Sequence, residues 1–146
     1  MSETSSRVIP MSYMGIPFSQ DPTGSRAAIL GIPFDCGTHP TRIGARQGPD
    51  AIRTQSSLVR PYYPPDFDFN PLELLNLVDC GNVACVAGEV ESAMTTIESA
   101  VSEICQAGAV PVTMGGDGLV SLPQLRALSK MHTDLALIHI DAHTDT

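Results

Sequence analysis

From residue 27 to residue 140 the chain alternates short, mainly apolar runs with polar or helix-patterned stretches. The runs are Ala27–Phe34, Leu74–Val78, Ala109–Met114 and Leu135–Ile140, and each leads into a cluster containing Asp or Gly. Such runs are short for buried helices, and their mainly apolar character is that of strands covered on both faces, as in parallel sheets. Parallel neighbours require long crossovers, usually helices. Glu89–Ala107 has the pattern of one: Val90, Ala93, Met94, Ile97, Val101, Ile104 and Cys105 fall on one face. Glu89 and Glu91 suit its positive end, and Gly108 is placed to terminate it in a left-handed cap. A second helix is expected near Asp50, with Pro49 in its first turn. A third is expected from about Ser121 to about Lys130, with Ser121 as N-cap and Pro123 tolerated in the first turn. The fold class implied is α/β, with a parallel sheet covered by helices on both faces.

A chain of 146 residues with 42% hydrophobic and 16% charged content fits one ordered domain with a core. The net charge of −8 and only eight scattered Lys and Arg argue against a nucleic-acid surface. No apolar run approaches a membrane span, and Met1–Arg7 lacks an apolar signal core, so a cytoplasmic protein without a membrane partner is expected. Cys36, Cys80, Cys85 and Cys105 are dispersed and read as thiols rather than disulfides. His39 can pair with Cys36 toward a metal, but nothing completes that site. Residues 1–25 read as an extended arm whose Tyr13, Ile16 and Phe18 lie on their own domain or on a neighbouring subunit. Pro61–Pro71 reads as an irregular surface connection, and His132 as a solvated loop histidine.

The chemistry concentrates at Asp141-x-His143-x-Asp145, directly after the run Leu135–Ile140. In an extended segment these three side chains project to one side, from a strand end where open α/β sheets bind their ligands. Mixed nitrogen and oxygen donors suit Mn, Fe, Zn or Ni, and a carboxylate can bridge two ions. On the motif alone, a polar strand exit without chemistry stands as an equal alternative. The long loop Asp35–Pro49 and the glycines at Gly115, Gly116 and Gly118 also follow expected strands.

Three segments together resemble the ureohydrolase family of arginase, agmatinase and the guanidino-acid hydrolases. They are Gly31-Ile32-Pro33-Phe34-Asp35 with Gly44-Ala45-Arg46-x-Gly48-Pro49-x-Ala51-Ile52-Arg53; Gly115-Gly116-Asp117; and Asp141-Ala142-His143-Thr144-Asp145. The first looks more like the agmatinase and guanidinobutyrase branch than arginase itself. The resemblance implies a three-layer α/β/α fold, of which residues 26–146 are the N-terminal part. It implies two Mn(II) ions, with Asp141 bridging both, His143 on one and Asp145 on the other. Asp145 would also be the catalytic residue that passes a proton to the leaving amine. The implied reaction turns a linear guanidino compound, agmatine or an ω-guanidino acid, into urea and an amine. It is implied for a longer parent chain, with this stretch inactive alone, and with homo-trimers or hexamers at full length. The chain departs from the pattern at Gly118, where the family's GGDH motif has a metal-binding histidine. That departure carries the alternative of a non-catalytic homologue acting as a partner subunit or relic. A chance motif on an unrelated α/β domain is the remaining reading.

Overall fold

A computed structural model describes residues 11–35, 37, 39, 41, 43–59 and 69–143. Its centre is a parallel sheet of three strands, β1 (Ala27–Gly31), β2 (Val78–Asn82) and β3 (Val110–Met114), in the order β2-β1-β3. The crossovers are helical: α1 (Gly48–Ser56) and the short α2 (Pro71–Leu74) join β1 to β2, and α3 (Val90–Gln106) joins β2 to β3. Then α4 (Ser121–Ser129) follows β3. β1 is buried along its whole length, as a central strand without polar residues must be.

Alternation along β1 divides the core. Ala28 and Leu30 face a cluster built from Met94, Ile97, Val101 and Ile104 of α3 and Ala127 of α4. Ala27 and Ile29 face Ile16, Leu77 and Met114, with Tyr13 and Leu72 packed against them. One face of the sheet is therefore covered by two helices. The arm and α2 supply much of the cover on the other. The helix pattern located the buried stripe of α3 correctly, and Gly108 ends that helix with φ of 82°.

Three strand assignments change. The run Leu74–Val78 is not a strand throughout. Asn70 caps a helical turn by accepting the Leu72 N–H at 3.0 Å, Pro71 occupies its first position, and Leu74 is drawn into that turn. Asn76 then reverses the chain at φ of 44°, so the strand begins at Val78 and continues through Asp79-Cys80-Gly81-Asn82. The expected strand Leu135–Ile140 does not form: among the described residues no strand follows β3, and residues 130–143 are exposed. A run that apolar gains its stability from strands on both edges and cover on both faces, and no described element supplies them. β1 itself is shorter than the run Ala27–Phe34. Ile32 and Phe34 stay buried, but Phe34 N–H turns back to the Ile32 carbonyl at 2.8 Å. Most of the expected irregular connection, residues 61–68, lies outside the described residues. No helix among the described residues is long and apolar enough to cross a membrane.

Residues 11–25 lie on the domain itself. Asp79 N–H donates to the Pro17 carbonyl at 2.9 Å and Ser19 N–H to the Asp79 carbonyl at 3.0 Å, which closes the outer edge of β2. The same Asp79 carries the main polar tie of the fold. Its buried carboxylate takes two parallel bonds from Arg53 of α1, Nε at 2.8 Å and Nη2 at 2.8 Å. It also accepts the backbone N–H of Tyr13 at 2.8 Å and of Gly81 at 2.9 Å. Arg53 reaches on to the Asn82 Oδ1 at 2.5 Å and the Gly81 carbonyl at 2.9 Å. Burial pushes the Asp79 carboxyl up, but Arg53 and the two backbone donors outweigh it and hold the group below its ordinary value. Removing one partner from such a pair leaves an uncompensated buried charge. Asp79→Asn should therefore lower unfolding stability by about 3–5 kcal/mol in urea denaturation. The double variant Asp79→Leu, Arg53→Met should cost less than the sum of the two single changes.

Candidate metal centre

Ligand sites in parallel α/β sheets form at the carboxyl ends of the strands, and here two of those ends are locked together. Asp117, directly after the paired glycines that follow β3, donates its backbone N–H to the Phe34 carbonyl at 3.1 Å. Its carboxylate accepts Gly37 N–H at 2.7 Å and Leu119 N–H at 3.1 Å, so it both pins the loop after β1 and caps the turn Gly118–Val120. The contact is too close for any side chain at the preceding position. A Cβ on Gly116 would lie 1.6 Å from the Phe34 carbonyl oxygen. The glycines of this motif serve close packing of two loops.

Asp35 secures the other side of the same loop. Its buried carboxylate accepts Gly44 N–H at 2.7 Å, Arg46 N–H at 3.2 Å and Arg46 Nε at 2.8 Å, with Arg46 Nη2 also in contact. The Arg46 guanidinium holds the Asp35 carboxyl far below the usual carboxylate range, against the upward push of burial. Asp35 and Asp117 thus anchor the loop from residue 35 to residue 46 at both ends.

The D-x-H-x-D motif lies on the exposed C-terminal segment. Asp141 and His143 are brought together, His143 Nδ1 being 3.2 Å from Asp141 Oδ1. They do not meet as alternating side chains of an extended strand. The chain bends at residues 142–143, and Asp141 Oδ1 accepts the His143 backbone N–H at 2.9 Å, as a side chain closing a short turn. His139 Nε2 lies 3.4 Å from the other carboxylate oxygen. The backbone N–H of His143 first, and then the two imidazoles, lower the Asp141 carboxyl below its ordinary value, so it is ionised at neutral pH. Asp145 lies outside the described residues.

His139 is the neighbour that the motif reading missed, although His139-x-Asp141-x-His143 is visible as one alternating set. The donors present are right in kind for a borderline divalent ion, an ionised carboxylate beside two imidazoles. They are too few in arrangement: among the described residues no three His, Cys, Asp or Glu side chains are grouped to hold a metal. Gly118, where the resemblance wants a histidine, opens the turn that Asp117 caps and offers no donor. Cys80, Cys85 and Cys105 are half-buried free thiols whose pKa burial raises, which disfavours the thiolate form a metal would need; Cys36 lies outside the described residues.

Comparison with known proteins places this geometry. The model of the arginase family matches residues 25–146. The chain belongs to the arginase family. Among its curated relatives, guanidinobutyrase of Pseudomonas aeruginosa is 38% identical over 137 residues, which is 92% of this chain and 42% of that protein. The human mitochondrial guanidino acid hydrolase is 37% identical over 135 residues, 92% of this chain and 38% of that protein. Proclavaminate amidinohydrolase of Streptomyces clavuligerus superposes with a TM-score of 0.87 at 33% identity, over 94% of this chain and 45% of that one. Formiminoglutamase of Trypanosoma cruzi, solved with Mn2+2, superposes with a TM-score of 0.62 at 28% identity, over 73% of this chain and 35% of that one. The arginase-family chain thus spans about two fifths of the length of the curated relatives it matches.

Two outcomes test this local architecture. Asp35 and Asp79 both have depressed folded pKa values, so their stabilisation is complete above the unfolded carboxylate value and is lost as pH falls through the lower folded values. The thermal midpoint should be flat from neutrality to about pH 5 and drop below about pH 4. Asp35→Asn should lower the neutral midpoint and flatten the acid limb. Gly116→Ala should unfold at lower urea concentration than the parent, because backbone rather than a mobile side chain stands in the way.

Proposed function

We propose that this chain is the N-terminal part of a metal-dependent hydrolase that cleaves a linear guanidino compound, agmatine or an ω-guanidino acid, to urea and an amine. The observation that carries the reading is the Asp141–His143 pair, an ionised carboxylate 3.2 Å from an imidazole, inside an arginase-family match. A guanidinium carbon is a poor electrophile because three nitrogens share its charge, so water must be activated to attack it. Two Mn(II) ions, when bound, would supply a nucleophilic water at neutral pH. Asp141, His143 and Asp145 are the residues proposed to hold the ions. Asp145 is proposed to carry a proton to the leaving amine as the C–N bond breaks. The loop fixed by Asp35 and Asp117 shapes the same end of the sheet and is proposed to position the chain near the substrate.

The residues of this stretch do not complete two metal sites, and the activity is assigned to the longer fold in the cytoplasm, assembled as a trimer or hexamer. Gly118 supports a second reading, a non-catalytic homologue that acts as a partner subunit, because a lost imidazole weakens one ion's site. Losing an outer partner of a ligand typically costs about 10–100-fold in metal affinity or activity, and losing the ligand itself costs at least as much.

The two readings separate in a chimera in which this chain replaces the matching part of the Pseudomonas guanidinobutyrase, assayed with Mn(II). Hydrolysis predicts urea release from agmatine or 4-guanidinobutanoate, reduced at least about 100-fold by Asp141→Asn or Asp145→Asn. No urea from a folded chimera, but activity after Gly118→His, would select the non-catalytic reading. No urea from either would sink the proposed reaction.

A further inference from the structure

A cavity of about 440 Å3 lies where the arm crosses the carboxyl end of β2 beside α1. Met11 and Phe18 of the arm, Asp50 and Arg53 of α1, and Gly81 and Asn82 of β2 are among its walls. Neither Asp141 nor His143 lines it. The volume is within the range of small-molecule sites.

The walls are held before any ligand arrives. Backbone bonds on both sides of Phe18, from Asp79 N–H to the Pro17 carbonyl and from Ser19 N–H to the Asp79 carbonyl, fix that residue against β2. Its ring lies over Gly81, where an added Cβ would stand 3.1 Å from the ring edge. Opposite the arm, Asn82 is oriented by two partners. Its Oδ1 accepts Arg53 Nη1 at 2.5 Å, and its Nδ2 donates to Asp50 Oδ1 at 2.9 Å.

The charges around the cavity do not balance. One guanidinium, Arg53, stands beside two carboxylates, Asp79 and Asp50. A guanidinium has five N–H donors. Here two go to Asp79, one to the Gly81 carbonyl and one to Asn82 Oδ1, and Asp50 Oδ1 lies 3.6 Å from Nη1. An entering anion would therefore find no spare donor on Arg53 and would meet the Asp50 carboxylate. Asp50 Oδ2 has no bond among the described residues, and the side chain is 74% exposed. Phe18 favours the same sign of charge, since an aromatic face attracts a cation through its quadrupole. Met11 adds an apolar surface that a ligand's hydrocarbon stem can cover.

We propose that this cavity binds a small organic monocation with a short apolar stem, an alkylammonium or alkylguanidinium ion. The charged head is received by the Asp50 carboxylate and the Phe18 ring, and the stem by Met11. The amine released by a guanidino hydrolysis is an ion of this class, but the site needs neither metal nor turnover. Saturable amine binding by a chain whose chimera releases no urea would leave the site standing and count against the hydrolysis only.

The test is titration of the metal-free chain with n-butylammonium, followed by amide NMR and calorimetry. Butanoate and butan-1-ol carry the same stem with the opposite charge and with none. The expected result is saturable binding of butylammonium at about millimolar concentration, an ordinary affinity for so small a ligand. The largest shifts should fall on the Gly81 and Asn82 amides, and the other two ligands should bind at least about fivefold more weakly. Asp50→Asn keeps the carbonyl that receives Asn82 Nδ2, so it removes the charge without the bond. It and Phe18→Leu should each weaken butylammonium about threefold or more. Glu91→Gln, on the exposed surface of α3, should leave the affinity unchanged. Three results would overturn the proposal. They are no saturable shift at Gly81 and Asn82, binding of butanoate or butan-1-ol as tight as that of butylammonium, and unchanged affinity in the folded Asp50→Asn and Phe18→Leu variants.

Discussion

The fold depends on one buried ion pair. Arg53 of α1 and Asp79 of β2 are fully enclosed, and each makes further bonds that leave no donor or acceptor wasted. A carboxylate and a guanidinium are costly to remove from water, so the pair is tolerable only because the geometry is bidentate and the remaining lone pairs are taken. What it provides is position. Arg53 holds α1 to β2, the Tyr13 N–H brings in the arm, and the arm's own backbone then closes the strand edge. Three elements far apart in sequence meet on one aspartate. Replacing it with apolar residues of similar volume would pack α1 but would leave the arm without its fixed point.

The same device recurs where the strands end. Asp35 is buried against Arg46, and Asp117 takes the Gly37 N–H across the gap between the loops after β1 and β3 and the Leu119 N–H of its own turn. Each aspartate follows a strand, and each binds the chain to itself. This explains how the long loop between β1 and α1 holds its ends although it has few apolar side chains to bury. It also explains the absence of a side chain at Gly116, which lies against the Phe34 carbonyl. Asp141 differs in that its partners are its own near neighbours in sequence and its side chain remains partly accessible.

Patterns that need only local physics were readable from the sequence. The stripe of α3 and its Gly108 terminus follow from helical periodicity and backbone conformation, and both are observed. β2 starts later than the apolar run at Leu74 suggests, because the Asn70-Pro71 cap draws Leu74 into a helical turn. Arg53 and Asp79 were visible as residues but not as a pair. Their separation of 26 positions carries no periodicity, and only the crossover of the chain brings them together. The convergence of His143 on Asp141 was legible in the motif, though the bend that produces it was not.

The segment 135–140 shows the limit of such reading most clearly. Its composition is strand-like, yet it forms no strand among the described residues. Strand propensity is chiefly the ability to pack on a half-buried pleated surface, so it expresses itself only where that surface exists. β1 has that surface, with a paired strand on each edge and cover on both faces, and every residue of it is buried. The later run has neither, and its isoleucines stand in solvent. The difference between the two segments lies in their neighbours, since both are apolar, short and followed by an aspartate. The same reasoning applies to the metal-type motif. Asp141 and His143 hang from this segment, and among the described residues no third donor is grouped with them to hold a metal.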